Sequence, residues 1–423
     1  MFCNLSESAC MAGKECSPLE ANAVRRRRSE QCISWAGSKR AWTAKADLRQ
    51  QTHGTCAPGA APGICRRVRI VLLMLVAFFA VQGKGDVELV AEGELPLCYS
   101  SPDADPSEGS WKKCDGGVAE SPMDLNEWPP WDEVPSIAHF TESCDEKWSA
   151  EHDEAEIRPY WRWVPANCRL EEVDAARFCR MMEGRKGVLL VGDSLTREFS
   201  ITLASILRAK LNSTGSRGPD EWMACDGELP VKFIRNDFLD LRSDFVEGNL
   251  CREGAFDRCF VFADDSILEA SDVVVVNSGA HLTPGGMHSY EEKMKAVSAR
   301  LTSSMERLHG DNATLVVRNT SPGHSDCTEK MFGAPVSADT AAALVAQGPT
   351  DYQWTAFENR NKVLQEAFEG SGGRWRWLDV YSPTVLRADC HRGGVDCLHY
   401  CLPGPIDHWV VLLYHILLAD HGL

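Results

Sequence analysis

The sequence predicts an α/β fold built on a mainly parallel sheet, on three observations. Four apolar runs, "GVLLVG" at 187–192, "DVVVVN" at 272–277, "ATLVVR" at 313–318 and "WRWLDV" at 375–380, punctuate the C-terminal half. Three of them are nearly unbroken in valine and leucine, as strands buried on both faces require. Stretches with helical period separate them, and strand–helix alternation is the mark of a parallel sheet. Each run also ends in or leads into polar residues, which in such a sheet collect beyond the carboxyl ends of the strands, where ligands bind.

The elements before this region differ in kind. Residues 1–69 are low in aromatics and lack periodicity, and read as a disordered tail. They hold twelve Lys and Arg against five Asp and Glu, whereas the rest of the chain has 32 basic and 56 acidic residues. An acidic globular part lacks the clustered cations that a phosphate backbone needs, so no nucleic-acid partner is expected. The run Arg25–Arg28 reads as a solvated part of the tail.

Arg66, Arg67 and Arg69 precede an apolar run from Ile70 to Val81, and Asp86, Glu88, Glu92 and Glu94 follow it. The run is short against the ~20 residues of a full span. Its length suits a signal-peptide core, but it begins late, at Ile70. We read 70–83 as a signal anchor, with the positive flank cytosolic and the C-terminal part lumenal. A cleaved signal peptide behind a misassigned start is the alternative reading, and it gives a secreted protein. Both place the acidic part in the secretory pathway.

Cysteine usage agrees. Six cysteines precede the apolar run and twelve follow it, an even dozen that reads as a disulfide framework of undetermined pairing. Sequons at Asn212, Asn312 and Asn319 are compatible with a lumenal location, Asn319 being the poorest acceptor. Residues 84–110, rich in Pro, Gly, Ser and acids, read as a stem, and 111–185 as a Cys- and Trp-rich cap. From 186 to 423 comes the α/β domain. Its helices show apolar stripes that read as core: Leu195, Phe199, Leu203, Ile206 and Leu207; Tyr290, Met294, Val297, Leu301, Met305 and Leu308; Trp354, Phe357, Leu364 and Phe368; and Trp409, Leu412, Leu413, Ile416 and Leu417.

The rim residues carry chemistry. "GDS" ends the first run and puts Ser194 in the first turn of the next helix. There, free N–H groups and the helix dipole would stabilise an oxyanion. Asp193 reads as the helix cap. Serine needs an adjacent base to attack. "DCLHYCLPGPIDHW" at 396–409 offers His399, with Asp396 three residues before it, near enough to fix the imidazole tautomer. Arg197 lies on the helical face of Ser194 and could donate to an oxyanion or to a carboxylate. Asn277, Gly279 and His281 of "NSGAH" are further oxyanion or substrate-binding candidates. His281 and His324 read as structural or substrate-contacting. Cys390, His391, Cys397, His399 and Cys401 are of the types that ligate zinc, but "CLHYC" lacks the usual C-x2-C ligand pair and an oxidising compartment favours disulfides, so no metal is expected. A purely structural His399 is the bland reading.

Six motifs in order resemble one family. "YWRWVPANCRLEEVDAARF", "LLVGDSLTRE", "VVVNSGAH", "RNTSPGH", "LDVYSPTVLRADCH" and the closing "DCLHYCLPGPIDHW" are similar to the blocks of the plant trichome birefringence-like proteins, PC-esterases of the SGNH/GDSL superfamily. The similarity covers about residues 96–423. It implies an SGNH-hydrolase-like three-layer fold and a Golgi type II membrane enzyme, catalytic domain lumenal, that O-acetylates cell-wall polysaccharide, xylan most commonly. Ser194, His399 and Asp396 would be its triad. No bound cofactor is implied, only an acetyl donor, acetyl-CoA or another carrier, as co-substrate. The departures fall outside the triad: Glu198 and Phe199 after Arg197, Tyr400 after His399, Val410 after Trp409, and Leu282 and Thr283 after His281. The alternatives are an acetylesterase with the same triad and an inactive glycan-binding protein. Nothing in the sequence sets an oligomeric state.

Overall fold

The valine and leucine runs form the centre of a seven-stranded sheet. Besides short helical turns, the elements of the computed structural model in chain order are β1 (Gly109–Lys113), α1 (Cys144–Glu151), β2 (Trp161–Pro165), α2 (Ala175–Met181), β3 (Val188–Gly192), α3 (Ser194–Ile206), β4 (Lys210–Ser213), β5 (Asp220–Ala224), β6 (Leu229–Arg235), β7 (Val273–Val276), α4 (Met287–His309), β8 (Thr314–Arg318), α5 (Ala338–Ala346), α6 (Phe357–Glu369), β9 (Arg376–Leu378), β10 (His391–Gly393), β11 (Asp396–Tyr400) and α7 (Pro405–Asp420). The structure describes residues 95–123, 134–138, 140–151, 157–215, 218–241, 259–282, 286–327, 333–349, 352–393 and 396–422. All lie within one unit, Glu88–Leu423. The expected tail and anchor fall outside the described residues. Among those residues no helix is long and apolar enough to cross a membrane.

The strand order is β4-β5-β6-β3-β7-β8-β9, with β6, β3, β7, β8 and β9 parallel and β5 antiparallel to both of its neighbours, β4 and β6. The chain runs from β3 outward to β6, then crosses to β7 on the other side. The carboxyl ends of β3 and β7 are therefore a topological switch point, the preferred place for a site in an open α/β sheet. Strand alternation sends Val188 and Leu190 to one face, packed with Phe199, Leu203, Trp409 and Leu413 of α3 and α7. Leu189 and Val191 point to the other, with Met294, Leu301, Leu364 and Phe368 of α4 and α6. This is the three-layer arrangement expected. Burying each such side chain stabilises the fold by roughly 1.5–3 kcal/mol.

Within the seven-stranded sheet, β4, β5 and β6 go beyond the four runs read from the sequence. β6 lies beside β3, yet Pro230 and Lys232 interrupt its apolar pattern. Its burial strictly alternates, with Leu229, Val231, Phe233 and Arg235 inward. Lys232 faces outward and pairs at 3.0 Å with Glu221 on β5. A strand covered on one face by charged cross-strand pairs reads as alternation rather than as an apolar run. The stripe on α7 was also too narrow. His408, Val410, Tyr414, His415 and Leu418 are buried too, because the cap covers the helix face that the sheet layer leaves. His408 meets Trp111 edge to face at 5.4 Å, and the Glu171 N–H donates to His415 Nε2 at 2.7 Å.

The cap is an antiparallel ribbon of β1 and β2 with Trp111 opposite Trp163. Part of the expected stem belongs to it, since Cys98 is fully buried and bridged to Cys168. Trp111 donates to Pro383 O and lies under the Arg387 guanidinium at 4.5 Å, so it is packed and not offered to solvent. Cys144–Cys401, Cys179–Cys225 and Cys327–Cys397 complete the bridges that the described residues resolve. The dozen is not fully paired, since Cys114 and Cys390 are free, buried thiols. Of the three sequons, Asn319 is buried and bonded to Asp379, whereas Asn212 and Asn312 are exposed.

Candidate active site

β3 ends at Gly192 because the chain must turn sharply into α3 there. A Cβ at Gly192 would lie 2.3 Å from Thr196 Oγ1 and 3.0 Å from Asn277 O. Asp193 caps α3 as expected, accepting the Thr196 N–H at 3.1 Å. Arg318 on β8 supports it from below, 3.8 Å from Asp193 and hydrogen-bonded to Thr196 Oγ1. Ser194 is thereby the first residue of the helix. Among the described residues the N–H groups of Ser194 and Leu195 find no acceptor, as first-turn donors do not.

The other half of the site comes from β11, two hundred positions on. The Ser194 hydroxyl and His399 Nε2 are 2.7 Å apart. His399 Nδ1 lies 2.9 Å from Asp396 Oδ2 and 3.0 Å from Oδ1. Asp396 also accepts the N–H groups of Leu398 and His399, which folds its carboxylate back over its own strand. Burial pushes the pKa of this carboxyl group up, but the hydrogen bonds and charge of His399 outweigh it and hold the pKa well below the usual carboxylate range. Asp396 is therefore ionised at neutral pH, and Nδ1 carries the proton toward it. Nε2 is left as an acceptor for the serine proton. The imidazole is held on further sides by the Phe140 ring, edge to face at 6.0 Å, and through its own carbonyl, which accepts from His391 Nδ1. His391 in turn meets His324 at 2.7 Å, and burial pushes both imidazoles below their ordinary pKa. His324 thus supports the strand of His399 from beneath.

Sequence reasoning missed one residue that ties the two halves together. Glu198 lies one turn after Ser194 and is fully buried. It pairs with the Arg392 guanidinium and accepts the Tyr400 N–H at 3.3 Å. The other arm of Arg392 reaches to 3.9 Å from Asp396 Oδ2. Burial pushes the Glu198 carboxyl up, against Arg392 and His399, which pull it down. One carboxylate therefore clamps the serine helix to the histidine strand and fixes the arginine beside the third triad member. Glu198→Gln keeps the shape but strands the Arg392 charge, and should cost about 3–5 kcal/mol in denaturant unfolding. Adding Arg392→Met should return most of that stability, because a buried pair is costly mainly when half of it remains.

Of the remaining sequence candidates, Arg197 is fully buried and both oxygens of Asp220 accept from it, at 2.7 and 2.9 Å. Of the two partners foreseen for it, the structure supplies the carboxylate. Asn277 sits at the switch point, and its amide nitrogen donates to Arg318 O and Thr320 Oγ1, tying β7 to the end of β8. Gly279 follows with φ +140°, and its carbonyl accepts from Arg360. A Cβ there would sit 3.2 Å from Thr320 Oγ1. Among the described residues the Gly279 N–H takes no acceptor. His281 stands on the same rim, 3.5 Å from Asp237, which Arg235 holds at 2.8 Å. The cysteines around His399 are no metal ligands: Cys397 and Cys401 are both consumed in disulfides.

The sequence model of the PC-Esterase family, described as a GDSL/SGNH-like acyl-esterase family found in Pmr5 and Cas1p, matches residues 170–416. Trichome birefringence-like 42 of Arabidopsis thaliana is 25% identical over 292 residues, covering 62% of this chain and 78% of its own length. Trichome birefringence-like 18 of the same plant is 25% identical, and the chain spans 58% of it, less than two thirds. Xyloglucan O-acetyltransferase 1 of A. thaliana is 27% identical over 310 residues, with 61% of this chain and 70% of the relative covered.

Proposed function

The chain belongs to the PC-Esterase family of GDSL/SGNH-like acyl-esterases, and from that premise we propose that it transfers acetyl groups through Ser194 to hydroxyls of a cell-wall polysaccharide. The single observation that carries the reading is the Ser194–His399–Asp396 relay at 2.7 and 2.9 Å. His399 Nε2 takes the serine proton as Oγ attacks the acetyl carbonyl carbon, and Asp396 stabilises the imidazolium. The free first-turn N–H groups of α3, with that of Gly279, are the donors available to the oxyanion. The tetrahedral species expels the donor's leaving group, which takes the proton from the imidazolium and leaves acetyl-Ser194. In the second half His399 removes the proton of a sugar hydroxyl, whose oxygen attacks the acetyl carbon, and Ser194 departs with the proton held on His399.

The acetyl donor is acetyl-CoA or another acetyl carrier. The acceptor class comes from the relatives, among them a xyloglucan O-acetyltransferase; the acceptor inferred from motifs is xylan-like. A neutral glycan suits a chain with a net charge of −17. Four bridges among the described residues suit an oxidising lumen, in keeping with the proposed Golgi location behind an N-terminal anchor. The test is to incubate the purified full chain with labelled acetyl donor and deacetylated xylan, xyloglucan, mannan and pectin. Labelled acetyl on one glycan, dependent on Ser194, is the expected result. Free acetate released from acetylated glycan, with no transfer, would make the protein an esterase instead.

A further inference from the structure

A second recess lies in the cap, away from the triad. It encloses about 310 Å³ between the 119–122 loop, β2, the 170–173 loop and the cap-facing side of α7. None of its lining residues belongs to the triad or to the Glu198 clamp. Its volume is at the lower end of ligand pockets. Tyr160, Trp161 and Trp163 give it aromatic surface, and His408 lines it from α7.

His408 is the telling residue. It is 5% exposed, yet among the described residues its imidazole makes no hydrogen bond, and its Nε2 is buried without a partner. Its ring meets Trp111 edge to face and Trp163 in a tilted contact at 6.5 Å. Burial depresses its pKa to about 3, so it is a neutral donor and acceptor with neither capacity used. Buried polar groups in native proteins nearly always have partners, and leaving one without costs about 1–3 kcal/mol. Beside it, Ser121 Oγ and Tyr160 OH both donate to Asp407; Ser121 Oγ also accepts the Met123 N–H at 3.1 Å, while the Tyr160 oxygen keeps its lone pairs to accept.

The charges lining the recess are internally satisfied. Arg162 pairs with Glu172 at 2.7 Å and with Glu120 at 3.8 Å, and Glu171 pairs with Arg169 and Arg177. The single lining arginine is thus committed to carboxylates, which disfavours a phosphate- or carboxylate-bearing ligand. Aromatic surface with unspent neutral donors and acceptors suits the apolar face and hydroxyls of an uncharged sugar ring. We propose that this recess is an accessory glycan subsite that holds a neutral sugar residue of the acceptor chain, with Trp161 stacking on the ring and His408 bonding a hydroxyl. It rests on the polysaccharide reading of the active site and adds a second contact with the same chain, which raises apparent affinity for long acceptors without touching the chemistry.

The test uses the full chain with neutral xylan and xyloglucan oligosaccharides of increasing length. Two variants probe the recess: Trp161→Ala, which removes a half-buried side chain, and Ala119→Trp, which fills the space without removing a bond. Each should weaken oligosaccharide binding by about tenfold in titration calorimetry and raise KM for polymer, with kcat unchanged. Acetyl-Ser194 formation from donor alone, followed by mass spectrometry, should be unchanged in both. An acidic galacturonan oligomer should bind more weakly than the neutral ones. Unchanged binding and KM in both variants, with transfer intact, overturns the subsite alone, as does tight acidic-oligomer binding that Ala119→Trp abolishes. Absence of acetyl-Ser194 in the parent protein overturns the catalytic reading, while loss of sugar binding in Trp161→Ala would still uphold the subsite.

Discussion

Ser194→Ala is expected to fold normally and to lose acetyl transfer by about a thousandfold or more in kcat. The side chain removed is small, and among the described residues its hydroxyl bonds only His399, so stability should move by less than about 1 kcal/mol. Asp396→Asn should fall by a similar order, for a different reason. The carboxylate holds the proton on Nδ1, and an amide can hold the ring in the opposite tautomer, with Nε2 protonated and useless as a base. Combining the two should add little, because the three residues act as one unit and the second loss removes nothing that still functions. Quenched reactions with labelled donor would read both. Ser194→Ala should show no labelled protein at all, whereas Asp396→Asn should accumulate acetyl-enzyme slowly. Near-parent turnover in Ser194→Ala would place the nucleophile elsewhere and end the acyl-serine proposal.

The residues that make this prediction possible were legible because they are short-range signals. Ser194 lies two positions past the end of its strand, and Asp396 is three positions from His399. The four runs at 187–192, 272–277, 313–318 and 375–380 each gave a strand, since a strand buried on both faces has a pattern that no neighbour needs to complete. What could not be read was long-range pairing of polar groups. Nothing near Arg197 in sequence marks Asp220 as its partner, and nothing marks Arg392 as the partner of Glu198, 194 positions away. Asn277 looked available because strand-end amides often are. The structure gives its donors to the next strand end, where an unbonded carbonyl would otherwise be buried. β6 escaped because lysine and proline on its outer face hid a strand whose inner face is entirely buried.

Cysteine pairing was the other silent quantity, and it decides the second large effect. Cys397 on β11 and Cys401 just beyond its end lie two residues to either side of His399. Cys397 is bridged to Cys327, and Cys401 to Cys144 at the start of α1. The histidine is therefore held between two covalent anchors, one to the loop after β8 and one to the cap. Cys144→Ser with Cys401→Ser opens a link between positions 257 residues apart. Chain entropy alone puts the loss near 5 kcal/mol, and the bridges that remain within that span reduce it to about 2–4 kcal/mol. The catalytic effect should be separable from the loss of stability. Below the unfolding transition the variant should keep KM for donor and lose kcat by about ten- to a hundredfold, because a displacement near 1 Å at Nε2 suffices to break a 2.7 Å relay. Cys327→Ser with Cys397→Ser should show the same kcat loss with a stability change of similar size, since its 70-residue span holds no further bridge among the described residues and chain entropy alone gives roughly 4 kcal/mol. Denaturant midpoints and pre-steady-state acetylation of Ser194 measure the two effects independently. If both bridge variants acetylate at the parent rate, the imidazole is positioned by Asp396, Phe140 and the Glu198 clamp alone, and the disulfides serve stability only.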